Sequence, residues 1–369
     1  MRDSGMVSSF LWVKTALHHS GMDIATRLGT ARKRVRKHGN TTAQQQRRRT
    51  RPMRDITTGN IIADWKPEYA GMFGKETLRL KHTLHQSELF SDARLANLIE
   101  KADRTHYHVN TRASGPDGKK RRREGEFGSL SGMDVLKAVQ KGDIWVNLRA
   151  PQIADPAYGD MLHDMYAEFE ARVPGLETFK HKTTILISSP NVYVPYHADV
   201  PGQMLWQVRG KKRVWLYPAE EPFITRNAIE KLILGELHEV DMPYDEKLDE
   251  KAFVTDLHPG EMLHWPLNWP HRVENHNCLN VSVTTEHYTK EIRTSYAVNY
   301  ANGLLRKAGI ANPKKQAGGV IAAAKTALAG AVKFSGVRSK AEKPYLIDFA
   351  VDPAGKNGVR DIEPYELRL

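Results

Sequence analysis

Of the patterns in this 369-residue chain that could do chemistry, the most promising is His197-x-Asp199, in the segment NVYVPYHADVPGQMLWQVRGKKRVWLYP (191–218). In an extended segment residues two apart project from one face, so this imidazole and carboxylate could grip a single cation together. A histidine from a distant strand would complete a two-His, one-carboxylate facial triad. Such a triad leaves three positions open on a non-haem Fe(II). The segment HPGEMLHWPLNWPHRVEN (258–275) offers His258, His264 and His271, with His276 just beyond it. With 16 His and 43 acids in the chain, a His-x-acid pattern arises by chance about twice. The pair therefore carries information only through its surroundings, which are a Pro-containing strand before it and an apolar strand and a Gly210 hairpin after it. The single cysteine, Cys278, excludes an intrachain disulfide and a Cys-based zinc site, so any metal must rely on His and carboxylate.

These residues need a frame. From Lys182 to Tyr288 the chain alternates short β-branched and aromatic runs with Pro and Gly: 183–187, 191–194, 204–208, 213–217, 261–265 and 279–285. Many short strands with frequent turn signals predict a mainly β fold, a jelly-roll or double-stranded β-helix core of the cupin-like class flanked by α-helices. Before it, Ser91 caps an expected helix to Lys101, and Ser131 with Asp134 forms a capping box for a helix stopped by Gly142. Met161, Leu162, Met165, Tyr166 and Phe169 give a third helix one apolar face. The stretch SGPDGKKRRR (114–123) has turn chemistry and a basic run, which predicts an exposed loop. Helical spacing returns over 294–308 and 320–334. The expected organisation is a basic, disordered tail (1–54), a mostly helical part packing on the barrel (55–180), the β core (181–290), and C-terminal helices with a tail (291–369).

The net charge of +12 is concentrated. Eleven Lys and Arg and no acid lie between Arg27 and Arg54, which leaves +1 for the rest of the chain. So charged and so poor in apolar residues, that tract is expected to be disordered alone, and it could bind nucleic acid or an acidic surface through counterion release. It could equally be a solvated tail, or an upstream extension of a chain that begins at Met53. No run approaches the roughly 18 apolar residues of a bilayer span. The expectation is a soluble, cytoplasmic protein with no membrane partner.

The two segments together resemble the jumonji-C or cupin-like branch of the Fe(II)/2-oxoglutarate oxygenases, in particular protein hydroxylases of the factor-inhibiting-HIF type. That family carries His-x-Asp, then Gln-x-x-Gly-x-Lys-Arg, then Pro-Gly-Asp-x-Leu-x-x-Pro-x-x-Trp-x-His. The counterparts here are His197 and Asp199; Gln207, Gly210, Lys212 and Arg213; and Pro259, Gly260, Glu261, Leu263, Pro266, Trp269 and His271. The match spans roughly a quarter of the chain, with its blocks in the family's order. It implies that His197, Asp199 and His271 ligate Fe(II), with His264 as the rival third ligand. It also implies that Lys212 holds the distal carboxylate of 2-oxoglutarate, with Arg213 as the substitute if the strand register slips. O2 would be the oxidant, succinate and CO2 the co-products, and a protein or peptide side chain or a small molecule the substrate. Hydroxylation and N-demethylation are equally compatible with the motif. The resemblance further implies a homodimer through the C-terminal helices.

Two departures stand beside the match. Val194 occupies the place of a family Thr that helps to hold the co-substrate, and Gln203 that of an Asn. Tyr193, Ser282 or Thr284 could supply the missing hydroxyl, so Lys212, Gln203, Tyr193 and Ser282 are the expected co-substrate contacts. Two other functions fit the sequence: a metal-retaining cupin-like binding protein without turnover, and a nucleic-acid-associated factor acting through the basic tail.

Overall fold

The computed structural model describes residues 60–114, 120–237, 242–311, 313, 318–334 and 344–368. The basic tract 27–54 lies outside the described residues. In chain order the elements are β1 (Leu78–Lys81), α1 (Asp92–Lys101), β2 (Tyr107–Ser114), β3 (Lys120–Glu126), α2 (Gly132–Lys141), β4 (Ile144–Arg149), α3 (Ala157–Arg172), β5 (Phe179–Ser188), β6 (Tyr193–His197), β7 (Gly202–Arg209) and β8 (Lys212–Leu216). There follow α4 (Arg226–Leu234), β9 (Phe253–Leu257), β10 (Glu261–His264), β11 (His271–Asn275), β12 (Asn280–Tyr288), α5 (Lys290–Lys307), α6 (Gly319–Phe334), β13 (Tyr345–Val351) and β14 (Val359–Leu367).

The strands form two sheets. The larger runs β1-β10-β7-β12-β5-β4-β2-β3-β13-β14 and the smaller β6-β11-β8-β9. Strands β5 to β12 thus divide four and four between two layers, changing layer at every step except the β8–β9 pair, which is the expected double-stranded β-helix. Leu205, Val214, Leu216, Leu257, Leu263, Trp265 and Val273 fill the space between the layers. The outer face of the large sheet, with Ile185, Met204, Trp206, Met262 and Val283, buries the apolar stripes of α1, α2 and α3. Each such fully buried side chain contributes about 1.5–3 kcal/mol. The outer face of the small sheet, with Tyr196, Trp215 and Tyr217, packs against α4, α5 and α6.

The two predicted N-terminal caps are made. Ser91 Oγ accepts from Arg94 N–H (3.3 Å), and Ser131 Oγ accepts from Asp134 N–H (3.2 Å) while donating to the Asp134 carboxylate. Gly132 lets α2 approach α1: a Cβ there would sit 2.0 Å from the Ala96 carbonyl oxygen. Gly210 turns the β7–β8 hairpin at φ +74, a conformation that suits glycine.

Three expectations are corrected. The segment 120–123, read as exposed loop, begins β3, because its charges find partners only in the folded sheet: Arg122 pairs with Glu124 (3.2 Å) and Arg123 with Asp348 of β13 (3.0 Å). The part read as mostly helical contributes β1 to β4 to the large sheet, and the part read as C-terminal helices and tail adds β13 and β14. These strands are stabilised by neighbours distant in sequence, which local propensity does not register.

Several buried histidines are locked in the neutral state. His82 Nδ1 accepts from Leu84 N–H (3.1 Å), so its Nε2–H donates to the Glu261 carbonyl (3.2 Å). His264 Nε2 accepts from Gly74 N–H (2.9 Å) and its Nδ1–H donates to the Gln203 carbonyl (3.0 Å). Burial holds His82 and His264 at about 4 and His287 at about 3. Protonation would aim an N–H at a donor in the first two. Because their folded values lie below the ordinary 6.5, their stabilisation is complete above pH 6.5 and is lost as pH falls toward 4. The loss is roughly 2 kcal/mol per histidine by pH 5. Urea midpoints should therefore drop steeply from pH 7 to pH 5, and less steeply in His264→Gln; equal slopes would refute this role. Gly132→Ala should lower stability by about 1–3 kcal/mol despite the better helix propensity of alanine, and an unchanged melting temperature would contradict the close contact.

Candidate metal centre and co-substrate pocket

Pairing between β6 and β11 sets His271 directly opposite His197, with their rings 4.1 Å apart. The register then slips, so that Val273 faces Val194. The slack falls at Pro195, which has no N–H to give to the ladder. Asp199 follows two residues beyond the end of β6, and its backbone carbonyl accepts from Asn268 Nδ2 (2.8 Å). Ligating atoms of His197, Asp199 and His271 all lie within 4.8 Å of one another, and His271 Nε2 is 3.4 Å from Asp199 Oδ2.

The two rings are held by the same device. His197 Nδ1 lies 2.7 Å from the Pro195 carbonyl and His271 Nδ1 lies 3.2 Å from the Trp269 carbonyl. A carbonyl only accepts, so each Nδ1 carries a proton, which leaves Nε2 as the nitrogen of each ring that could ligate a metal. Burial first, and then the neighbouring His197, push the His271 pKa well below its ordinary value. This keeps it in the neutral form that a metal ligand requires. Two imidazoles and one carboxylate on a shared focus suit a divalent first-row metal, whose adjacent ligands at about 2.1 Å would be about 3 Å apart. The donors thus fit Fe(II), and three protein ligands leave the remaining positions of such an ion to others.

Lys212 starts β8. Its cross-strand neighbours are Asn275 of β11 and Leu257 of β9, and it alternates with Val214 and Leu216, so it lies on the inner face of the barrel. It is 4% exposed. No hydrogen-bond acceptor or carboxylate pairs with its ammonium among the described residues, and burial lowers its pKa to about 7. A buried cation without a counter-charge is costly, so the barrel floor holds an open demand for an anion. Four residues of β8 separate Lys212 from Leu216, the strand neighbour of His271, or about 13 Å of backbone.

The other expected contacts divide. Ser282 of β12 lies on the same inner face, opposite Leu186 and Gln207, and donates to Gln207 Oε1 (2.7 Å). Gln203 shares a face with Leu205 and Gln207 at the metal end of the barrel. Tyr193 is a correction. It pairs with Glu274, on the face opposite Val273, and its ring meets the Arg112 guanidinium outside the barrel (5.6 Å). The slip at Pro195 puts Val194 inward and Tyr193 outward.

The rivals resolve as well. His264 faces the outer core, stacked on Phe73, with both ring nitrogens engaged. Arg213 points outward to Asp256 (2.7 Å). Asn275, which sequence reasoning passed over, closes the floor beside Lys212 by donating to Ser188 Oγ and the Ser189 carbonyl (both 2.8 Å). Counting every second residue inward from His271 would have found it.

Several known proteins are similar to parts of this chain. Bovine (Bos taurus) HSPB1-associated protein 1 is 28% identical over 112 residues, covering 28% of this chain and 23% of that protein. Zebrafish (Danio rerio) tRNA wybutosine-synthesizing protein 5 is 36% identical over 92 residues, covering 23% and 26%. The chain thus spans about a quarter of the length of the curated relatives it matches. Among solved structures, the Escherichia coli ribosomal oxygenase YcfD in complex with cobalt and 2-oxoglutarate aligns at 15% identity and a TM-score of 0.43, over 77% of this chain and 69% of that one. The profile of the cupin-like domain matches residues 101–291, just over half of the sequence and the whole of the double-stranded β-helix from β5 to β12. With that match and the eight-stranded, two-layered core in agreement, the chain belongs to the cupin-like domain family.

Proposed function

We propose that the protein is an Fe(II)- and 2-oxoglutarate-dependent oxygenase whose metal ligands are His197, Asp199 and His271. The observation that carries this reading is the pairing of two features in one barrel: two imidazoles and a carboxylate converging at one end, and at the other a buried lysine without a paired carboxylate among the described residues. A dicarboxylate able to chelate a metal at one end and meet an ammonium at the other answers both. When bound, the iron and its co-substrate supply the activation of O2 and the oxidation of an unactivated C–H bond.

The chain's own work is positional. The Pro195 and Trp269 carbonyls fix the imidazole tautomers, and Asn268 ties down the backbone of Asp199. Lys212 meets the distal carboxylate with a charge-assisted bond. Ser282, held by Gln207, and Gln203 at the metal end line the same interior and complete the co-substrate's surroundings. Trp265, whose ring stands 4.8 Å from that of His271, helps to keep water from the reacting centre. The reaction class follows from these residues, whereas the substrate class is set by the surface around the mouth.

Purified protein supplied with Fe(II) should convert 2-oxoglutarate to succinate, slowly even without substrate. His197→Ala or Asp199→Ala should reduce this at least ~100-fold. Succinate at the wild-type level from either variant would overturn the assignment, and none from the wild type would favour a metal-retaining binding protein without turnover.

Lys212→Met should weaken 2-oxoglutarate binding by about 2–3 kcal/mol, roughly 30- to 150-fold, while raising the melting temperature of the protein without co-substrate. Since Lys212 titrates near 7 when unpaired, binding above that pH must take up a proton. Affinity should be greatest below pH 7 and fall as pH rises beyond it. An affinity that is constant from pH 6.5 to 8.5 would return the anchoring role to another residue.

A further inference from the structure

The ladder between β6 and β11 carries an irregularity, and it lies beside the metal donors. His271 pairs with His197 and Val273 with Val194, so Arg272 on β11 stands alone against two residues of β6, Pro195 and Tyr196. This is a bulge, a feature that bends its strand and re-aims the side chains around it. Here it sets where β6 ends, and with that the approach of His197 and of Asp199 two residues on. Pro195 explains why the ladder can slip at this point. It does not hold the slip in one place, because a residue without an N–H to donate selects no partner across the ladder.

On the outer face of the small sheet both sides of the bulge are gripped. The Arg272 guanidinium lies over the ring of its cross-strand neighbour Trp215, 3.4 Å from the centroid. Its Nη2 pairs with Asp249 Oδ2, its Nη1 donates to Glu274 (2.9 Å), and its Nε donates to Tyr217 Oη (3.2 Å). The Tyr217 and Tyr244 hydroxyls in turn both donate to Asp249 Oδ1. Tyr196, on the other side of the bulge, packs against those same two rings, 4.9 Å from Tyr217 and 5.1 Å from Tyr244, and its hydroxyl donates to the Phe223 carbonyl (2.8 Å). One carboxylate, on the 3-10 helix Glu246–Lys251 before β9, therefore gathers the groups that meet both strands of the irregular pair.

We infer that Asp249 is a positioning residue for the metal centre, acting through Arg272 to hold the β6–β11 bulge in the register that brings His197, Asp199 and His271 together. A buried ion pair is a weak device for stability, because desolvating two charges offsets most of their attraction; its better-attested use is to fix one register among several. Arg272 is 7% exposed, and its charge is met where the ladder slips. Without the Asp249 carboxylate the guanidinium keeps the more exposed Glu274 and gains by swinging toward water. That movement takes it off Trp215 and frees the one residue that faces the bulge. Metal ligands must be held within about 0.5 Å of their working geometry, so a small relaxation of the ladder reaches the donors. The inference rests on the metal assignment made above and concerns residues outside it.

The full chain, stripped of metal by a chelator, is titrated with Co(II) alone, whose visible absorption reports ligand geometry, and thermal unfolding is followed in parallel. Asp249→Asn should shift the visible bands and raise the Co(II) dissociation constant roughly 10- to 100-fold, the range for groups that orient metal ligands. Asp249→Glu, which restores the charge, should recover most of that loss. Gly132→Ala, which strains the remote contact between α1 and α2, is the control: it should lower the melting temperature and leave Co(II) binding as in the wild type. Tyr244→Phe removes a single hydroxyl at the half-buried end of the cluster and should weaken Co(II) binding by about two- to fivefold. This milder variant keeps the inference testable if Asp249→Asn does not fold. Wild-type affinity and bands in a folded Asp249→Asn, or in Tyr244→Phe where Asp249→Asn does not fold, would overturn the role of Asp249. So would a Gly132→Ala protein that loses Co(II) affinity in proportion to its stability. A wild-type protein that binds no Co(II) would instead remove the metal centre itself, so the two failures are distinguishable.

Discussion

The pairing of β6 with β11 is the constraint on which the site depends. Two imidazoles far apart in sequence meet because antiparallel register sets His271 opposite His197, and the slip at Pro195 lets the chain turn Asp199 toward the same point. A shift of one residue would send His271 to the outer face with Arg272 and Glu274 and replace a donor by an arginine. The same slip turns Val194 inward and Tyr193 outward, so one irregularity of the ladder sets both the metal cluster and the wall beside it.

Holding that register takes rigid layers on both sides. The large sheet is buried on its outer face by three helices and the small sheet by three more, so neither can slide without exposing a core of fully buried aromatics such as Trp206, Tyr196 and Tyr217. Neutral histidines stitch the outer layer. His264 ties the β10 strand end to Gly74 and to the Gln203 carbonyl, and His82 ties the segment after β1 to Glu261. These contacts make the scaffold firm near neutrality and vulnerable in acid.

Within this frame the interior carries charge that a purely structural barrel would avoid. Lys212 sits on the same face as Val214, Leu216 and Leu257, with no carboxylate paired to it among the described residues. Replacing it with an apolar side chain would be expected to stabilise the fold, since a buried ammonium carries a desolvation cost that packing does not offset. Farther out, Glu124 accepts from the neutral His108 ring and pairs with Arg122, while the Arg112 guanidinium stands over the Tyr193 ring.

The sequence by itself determined the features that short-range chemistry specifies: the caps at Ser91 and Ser131, the Gly210 hairpin, most strands of the core, and the ordered blocks carrying His197, Asp199, Lys212 and His271. Those signals depend on side-chain type and on periods of two and 3.6 along the chain, which are legible locally. Only the tertiary structure decided that Tyr193 faces away from the pocket, that His264 is a core histidine, that the basic run 120–123 opens a strand, and that β13 and β14 extend the sheet. Each depends on which strand lies alongside and in what register. Counter-charges such as Asp348 for Arg123 are supplied from more than two hundred residues away, and no local pattern records such a partner.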